Sequence, residues 1–151
     1  MIFASSIKCN DDNTYGISKK TSSEKFYNSS IKNDFIFVNL IIPNVFGPFC
    51  KPDYNSFIAT FCSKLIIDQN PEITQDSKVP LIYIGNLVGQ IVKNIQSDNQ
   101  VKHNKILCDI EIRVSEVLRT LNQFKDSYLK ENTLPLFNNS FELNLFNTFM
   151  F

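Results

Sequence analysis

The chain has 151 residues, 43% hydrophobic and 13% aromatic, enough apolar material for one packed domain or a large piece of one. Lysine plus arginine number 15, as do aspartate plus glutamate. Such a balance exerts no long-range pull on nucleic acid or an anionic membrane, which argues against nucleic acid as a partner.

The four cysteines, Cys9, Cys50, Cys62 and Cys108, include no C-x-x-C pair, and His103 is the only histidine. Zinc sites need clustered Cys/His ligands, so no metal site is expected. A disulfide framework belongs to small secreted domains, so the cysteines read as buried free thiols in a reducing cytosol. No segment approaches the ~18 apolar residues of a membrane-spanning helix. The opening MIFASSIK has only a four-residue apolar run and no basic region before it, so it does not read as a signal peptide. The expected location is the cytoplasm, where the N-x-S/T matches at Asn28 and Asn138 are chance.

In chain order, Met1 to Ser5 reads as a buried strand and Asn10 to Asn13 as a polar turn. Thr14 to about Ser30 reads as a helix, with Asn13 or Thr14 as its N-cap. Phe35 to Ile42 is a β-branched and aromatic run, expected of a parallel strand buried on both faces. Pro43 to Asp53 carries Pro43, Gly47, Pro48 and Pro52 and reads as a loop. Tyr54 to Asp68 follows as a helix with Phe57, Ile58, Phe61 and Leu65 at helical spacing.

Val79 to Ile84 is a short strand, and Asn86 is placed as the cap of a helix running to about Ile95. The polar stretch Asp98 to Lys105, with His103, reads as a solvated loop; Lys105 to Ile110 is a further strand candidate. Arg113 to Leu129 is an amphipathic helix with Val114, Val117, Leu118 and Leu121 on one face. The tail from Leu134 to Phe151 is rich in Phe, Leu and Asn. Its phenylalanines, Phe137, Phe141, Phe146, Phe149 and Phe151, are expected to contact a part of the protein outside this sequence. The alternation β-α-β-α-β-α-β-α argues an α/β fold with a mostly parallel sheet. A first strand with no earlier partner suggests a missing half.

Three residues invite chemistry. Tyr15 and Lys19 form Y-x-x-x-K, and the i,i+4 spacing places phenol and ammonium on one helix face. A nearby ammonium favours the phenolate, one route to a tyrosine acting as general acid or base. Ser6 ends the preceding strand, where open α/β sheets place ligand sites. On spacing alone, the same pair is also what a solvated amphipathic helix carries.

The context is more specific. Phe3-Ala4-Ser5-Ser6, a loop, then Tyr15-Gly16-Ile17-Ser18-Lys19 resembles the active-site segment of extended short-chain dehydrogenases/reductases, the NAD-dependent epimerase/dehydratase family. The resemblance implies that Ser6 is the active-site hydroxyl, with Ser5 the alternative. It makes Tyr15 the acid/base and Lys19 the group that holds the nicotinamide ribose and tunes Tyr15. Ile42-Pro43-Asn44-Val45-Phe46-Gly47 is similar to the family segment passing the nicotinamide, which implies Pro43 at the cofactor and Asn44 at the nucleotide-sugar. The block from Pro48 to Cys62 resembles bacterial capsular-polysaccharide reductases acting on a UDP-linked 2-acetamido-dideoxy-4-hexulose. There the loop lies by the sugar-nucleotide, so Lys51, Tyr54 and Asn55 become candidate contacts, alongside the plainer reading of a solvated loop.

Two positions depart from the pattern. Ile41 stands where an arginine is usual, and Ile84-Gly85-Asn86 stands where acidic residues follow the strand. The glycine-rich turn that seats the cofactor pyrophosphate has no counterpart among Gly16, Gly47, Gly85 and Gly89. The resemblance therefore implies a C-terminal part of a Rossmann-like, mostly parallel sheet, with residues 1–151 forming a partial epimerase/dehydratase-type domain. NAD or NADP and a UDP-linked sugar are the implied ligands. A separate N-terminal half or a homodimer is the implied partner. The isolated chain is expected to be inactive.

Overall fold

The computed structural model describes residues 1–96 and 103–151. The polar stretch from Asp98 to Lys102 lies outside them. The chain forms two compact units, one comprising Met1–Pro43 with Leu87–Leu107, the other Asn44–Asn86 with Cys108–Phe151.

In the first unit, strand β1 (Ile2–Ser6) pairs in parallel with β2 (Val38–Ile42), and β2 pairs in parallel with β5 (His103–Lys105). Helix α1 (Thr14–Lys32) connects β1 to β2. Its cap is Asn13, whose side chain accepts from the Gly16 N–H at 2.9 Å. Phe37, Leu40, Ile42, Leu87 and Ile106 are buried, and the rings of Phe3, Phe26 and Phe37 form a chain of contacts at 5.3 and 6.3 Å. Helix α3 spans Ile84–Gln96. Its Gln90 amide exchanges two hydrogen bonds with the Leu107 backbone, at 2.9 and 3.0 Å, as a strand neighbour would.

In the second unit, β3 (Asn44–Phe46) runs parallel to β4 (Lys78–Tyr83), and β4 runs antiparallel to β6 (Ile110–Arg113). Helices α2 (Phe57–Ile66), α4 (Val114–Phe124) and α5 (Ser140–Phe149) build the core on Phe46, Ile58, Leu65, Val117, Leu121 and Leu145. The start of α4 is fixed from a distance. The Asp76 carboxylate accepts from the Ser115 N–H and hydroxyl at 3.0 and 2.9 Å, an anion on a positive helix end. Those bonds hold Asp76 below the usual carboxylate range, and Lys125 does the same for Asp68 through a hydrogen bond and its charge.

The fold is α/β, with three parallel pairings and one antiparallel among the described residues, and its mostly parallel character is what the alternation of elements predicts. Several boundaries differ. The strand read from Phe35 begins at Val38, where its register with β1 begins at Ile2. The loop expected from Pro43 contains β3. The helix expected from Tyr54 starts at Phe57, where Ser56 accepts from the Ala59 N–H at 3.3 Å. Asn86 is not a cap; it lies inside α3, and its Nδ2 donates to Asp109 Oδ2 at 3.0 Å. His103 opens β5 rather than sitting in a loop, and the strand expected over Lys105 to Ile110 divides into β5 and β6. Beyond Phe124 the long helix continues as a π-helical turn, Lys125–Lys130.

The tail corrects a further expectation. Phe141, Phe146 and Phe149 are buried in this chain's own core, in α5 capped by Asn139. Phe124 meets Phe146 edge-on at 5.3 Å, and Phe137 meets Phe146 at the same distance.

The cysteines also divide. All four are free, but only Cys62 is buried; Cys9 and Cys108 are half-buried and Cys50 is exposed. Burial pushes the Cys62 thiol up to about 12. An exposed thiol reagent at pH 8 should modify Cys50 quickly and leave Cys62 untouched until the protein unfolds. The unfolded thiol ionises near its ordinary 9.0 and the folded one does not, so the folded state holds the extra proton in between. Stability should therefore fall as pH rises from about 9 towards 12, by up to about 4 kcal/mol from this group. Cys62→Ala should lose that part of the slope in urea titrations. Equal labelling of Cys50 and Cys62 in the native protein would refute the assignment.

Candidate functional site

The candidate residues fall into two groups, one in each unit. In the first, β1 delivers Ser6 at its carboxyl end, and the chain turns through residues 7–13 into α1. The turn is held by backbone bonds: Ile7 N–H to Ile42 O at 3.0 Å, Cys9 N–H to Ser6 O at 3.0 Å and Asp11 N–H to Lys8 O at 3.1 Å. Ser6 is half-buried, and its hydroxyl oxygen accepts from the Lys8 N–H at 3.2 Å. Ser5 is buried instead, and its hydroxyl has no hydrogen-bond partner among the described residues.

Tyr15 and Lys19 stand one turn apart at the start of α1. Tyr15 is 51% exposed. The Lys19 ammonium turns towards β1, donating to the Ala4 carbonyl at 2.9 Å and lying 5.3 Å from the Phe3 ring centroid and 5.7 Å from that of Tyr15. That carbonyl lies two residues before Ser6, so one side chain ties the helix start to the strand end. Pro43, which follows β2, is buried.

Gly16, between Tyr15 and Lys19, has a role that the spacing did not reveal. A Cβ there would lie 2.3 Å from the Asp11 carbonyl oxygen and 2.7 Å from that of Lys8. The first turn of α1 therefore lies directly against the turn leaving β1, and only glycine permits it.

In the second unit, Asn44 opens β3, and its Nδ2 donates to the Pro80 carbonyl of β4 at 3.2 Å. Gly47 follows under the same kind of constraint, since a Cβ there would come 2.5 Å from Ile84 Cγ2. Lys51, Tyr54 and Asn55 lie in the exposed loop that leads to α2. The Lys51 ammonium lies 5.8 Å over the Tyr54 ring. Three non-glycine residues of the loop, Phe49, Asp53 and Asn55, have φ values of 64°, 55° and 86°. Asn and Asp tolerate this region; for Phe49 it costs about 1–2 kcal/mol. No group of three or more His, Cys, Asp or Glu side chains able to hold a metal occurs among the described residues.

A strand ending in serine, an abrupt turn and a Tyr-Gly-x-x-Lys helix start, on a mostly parallel sheet, define the short-chain dehydrogenase/reductase class. The profile of the NAD-dependent epimerase/dehydratase family matches residues 3–108, and the chain belongs to that family. The chain is 32% identical over 135 residues to UDP-2-acetamido-2,6-beta-L-arabino-hexul-4-ose reductase of Pseudomonas aeruginosa, covering 84% of this chain and 35% of that protein. Among solved structures it is similar to the capsular polysaccharide assembling protein CapF of Staphylococcus aureus. The TM-score is 0.85 at 29% identity, over 99% of this chain and 42% of CapF. The UDP-N-acetylglucosamine 4-epimerase of Methanobrevibacter ruminantium, solved with UDP-N-acetylmuramic acid, shares the fold with a TM-score of 0.81 at 16% identity, covering 99% of this chain and 61% of the epimerase. The chain thus spans about a third of the curated relative and about two-fifths of CapF.

Gly16→Ala separates the close-approach account from simple helix propensity. Propensity alone would stabilise the helix by about 1 kcal/mol. Forcing the Lys8–Asp11 turn off α1 should instead cost about 1–3 kcal/mol. At roughly 2–4 °C per kcal/mol for a chain of this size, a thermal melt should show a clear fall. An unchanged or raised melting temperature would refute the seating of that turn on α1.

Proposed function

We propose that the chain carries the proton-transfer and sugar-binding part of an NAD(P)-dependent nucleotide-sugar oxidoreductase, a 4-keto reductase or epimerase serving surface-polysaccharide precursor synthesis. The observation that carries this reading is the arrangement around Gly16, where Tyr15 and Lys19 share one helix turn and Lys19 is tied to the strand that ends in Ser6. The similarity to the hexulose reductase and to CapF supports the capsular branch of the family.

In the reductive direction, the Tyr15 hydroxyl gives its proton to the sugar oxygen as the carbonyl carbon becomes an alcohol carbon. Ser6 Oγ holds the same oxygen in place, and the Lys19 charge stabilises the tyrosinate left behind. NAD(P), when bound, supplies or takes the hydride. The residues present fit its ribose: the Lys19 ammonium donates to the Ala4 carbonyl and has no carboxylate within salt-bridge distance among the described residues, leaving N–H donors for ribose hydroxyls. Pro43 would flank the nicotinamide. Asn44, Lys51, Tyr54 and Asn55 would serve the UDP-linked sugar, with lysine meeting the diphosphate as a point charge.

A second reading is a non-catalytic remnant, or a subunit completed by a separately encoded glycine-rich half. It draws support from Ile41 in the arginine position and from the absence of a glycine cluster among the chain's four glycines.

Two measurements test these readings. Joined to a matching glycine-rich N-terminal half, the chain should turn over a UDP-4-hexulose, and Tyr15→Phe should remove most of kcat while leaving KM nearly unchanged, since the phenolic proton is used only in the reaction. An unchanged kcat would refute the role of Tyr15. Alone, the 151-residue chain should show no saturable NADH binding when NADH fluorescence is followed, because pyrophosphate affinity in this fold comes from the glycine-rich turn. Micromolar binding would show that this chain needs no such half.

A further inference from the structure

The loop between β3 and α2 spends backbone strain to hold an aromatic ring in water. Phe49 has a φ of 64°, a conformation that a bulky residue avoids, yet its side chain is 83% exposed. No buried packing rewards that geometry. The ring instead rests on Phe151, itself 72% exposed, with centroids 5.1 Å apart and planes at 53°. Strain retained without a packing return points to a function for the side chain it presents. Two residues further on, Lys51 presents its ammonium over the Tyr54 ring. An exposed aromatic ring and an exposed cation in one loop offer the two chemistries a nucleoside diphosphate needs, a surface for a planar base and a charge for the phosphate pair. Base–aromatic stacking needs only a ring face and accepts any base.

We propose that Phe49, backed by Phe151, is the face on which the base of the nucleotide-sugar stacks, with Lys51 meeting the diphosphate. This rests on the nucleotide-sugar reading above and adds to it the residue that receives the base.

The test uses the 151-residue chain with UDP as the probe, followed by the H5 and H6 proton resonances of its uracil, which ring currents shift on stacking. Phe49→Asn keeps a residue that tolerates the left-handed backbone and removes the ring. It should leave the melting temperature equal or higher and weaken UDP binding tenfold or more. Phe49→Trp should restore binding and enlarge the H5 and H6 shifts. Lys51→Gln should weaken UDP more than uridine, whereas Phe49→Asn should weaken both alike.

If UDP binds the parent chain and Phe49→Asn changes its affinity less than twofold, the stacking role is overturned while the nucleotide-sugar reading stands. If UDP fails to bind the parent chain at millimolar concentration, both are overturned. If Phe49→Asn turns a self-associating chain into a monomer with UDP affinity unchanged, the aromatic pair is a contact between copies of this chain and the proposal fails.

Discussion

The arrangement of the first unit depends on one steric allowance, the missing side chain at Gly16. Parallel pairing of β1 with β2 fixes where Ser6 ends, but pairing alone does not determine where the following helix begins. That is set by the turn after β1, whose Lys8 and Asp11 carbonyls lie against the first turn of α1. Any side chain at residue 16 would push the helix start away from the strand end, and Tyr15 and Lys19 with it. The same residue also donates its N–H to the Asn13 cap, so one position ends the turn and starts the helix.

Lys19 is held in place in a complementary way. A surface lysine ordinarily keeps its ammonium in water. Here the ammonium itself lies near the faces of the Phe3 and Tyr15 rings and donates to a main-chain carbonyl of β1. A carbonyl carries only a partial charge and leaves the ammonium uncompensated, where an aspartate would have neutralised it. The position is therefore held by a hydrogen bond and two ring faces, with no carboxylate paired to it among the described residues.

How much of this was legible in the sequence follows from the range of the interaction concerned. The start of α1 was legible because Asn13 and the Tyr15–Lys19 spacing act within one turn. The run FIFVNLII is legible as a strand, but its first residue is not, because the strand starts where it pairs with β1, a partner more than 30 residues away in the chain. Asn86 looked like a cap because asparagine caps helices; its amide is occupied by Asp109, 23 positions away, and no local rule shows that. Phe141, Phe146 and Phe149 elude a sequence reading for the same reason. Their partners, Phe124 and Tyr128, lie on another helix, and only the packed core shows that the rings serve this chain itself. Gly16 belongs to the motif, but its role depends on two carbonyls that only the fold brings to it.

The second unit shows how a strained loop can persist on a small protein. Its ends are anchored on the ordered side. Gly47 is pressed against Ile84 at the end of β3, and Ser56 caps α2. Between them the Asp53 N–H is taken by Thr60 Oγ1 at 2.9 Å. Behind those anchors lies a core in which Phe46, Ile58, Leu65, Leu81 and Leu145 are almost wholly buried. Each such side chain contributes about 1.5–3 kcal/mol by leaving water. The left-handed residues of the loop cost about 1–2 kcal/mol apiece at most, and less for the Asp and Asn among them. The contacts at Gly47, Thr60 and Ser56 therefore restrain the loop locally, and the core behind them keeps those anchors in place.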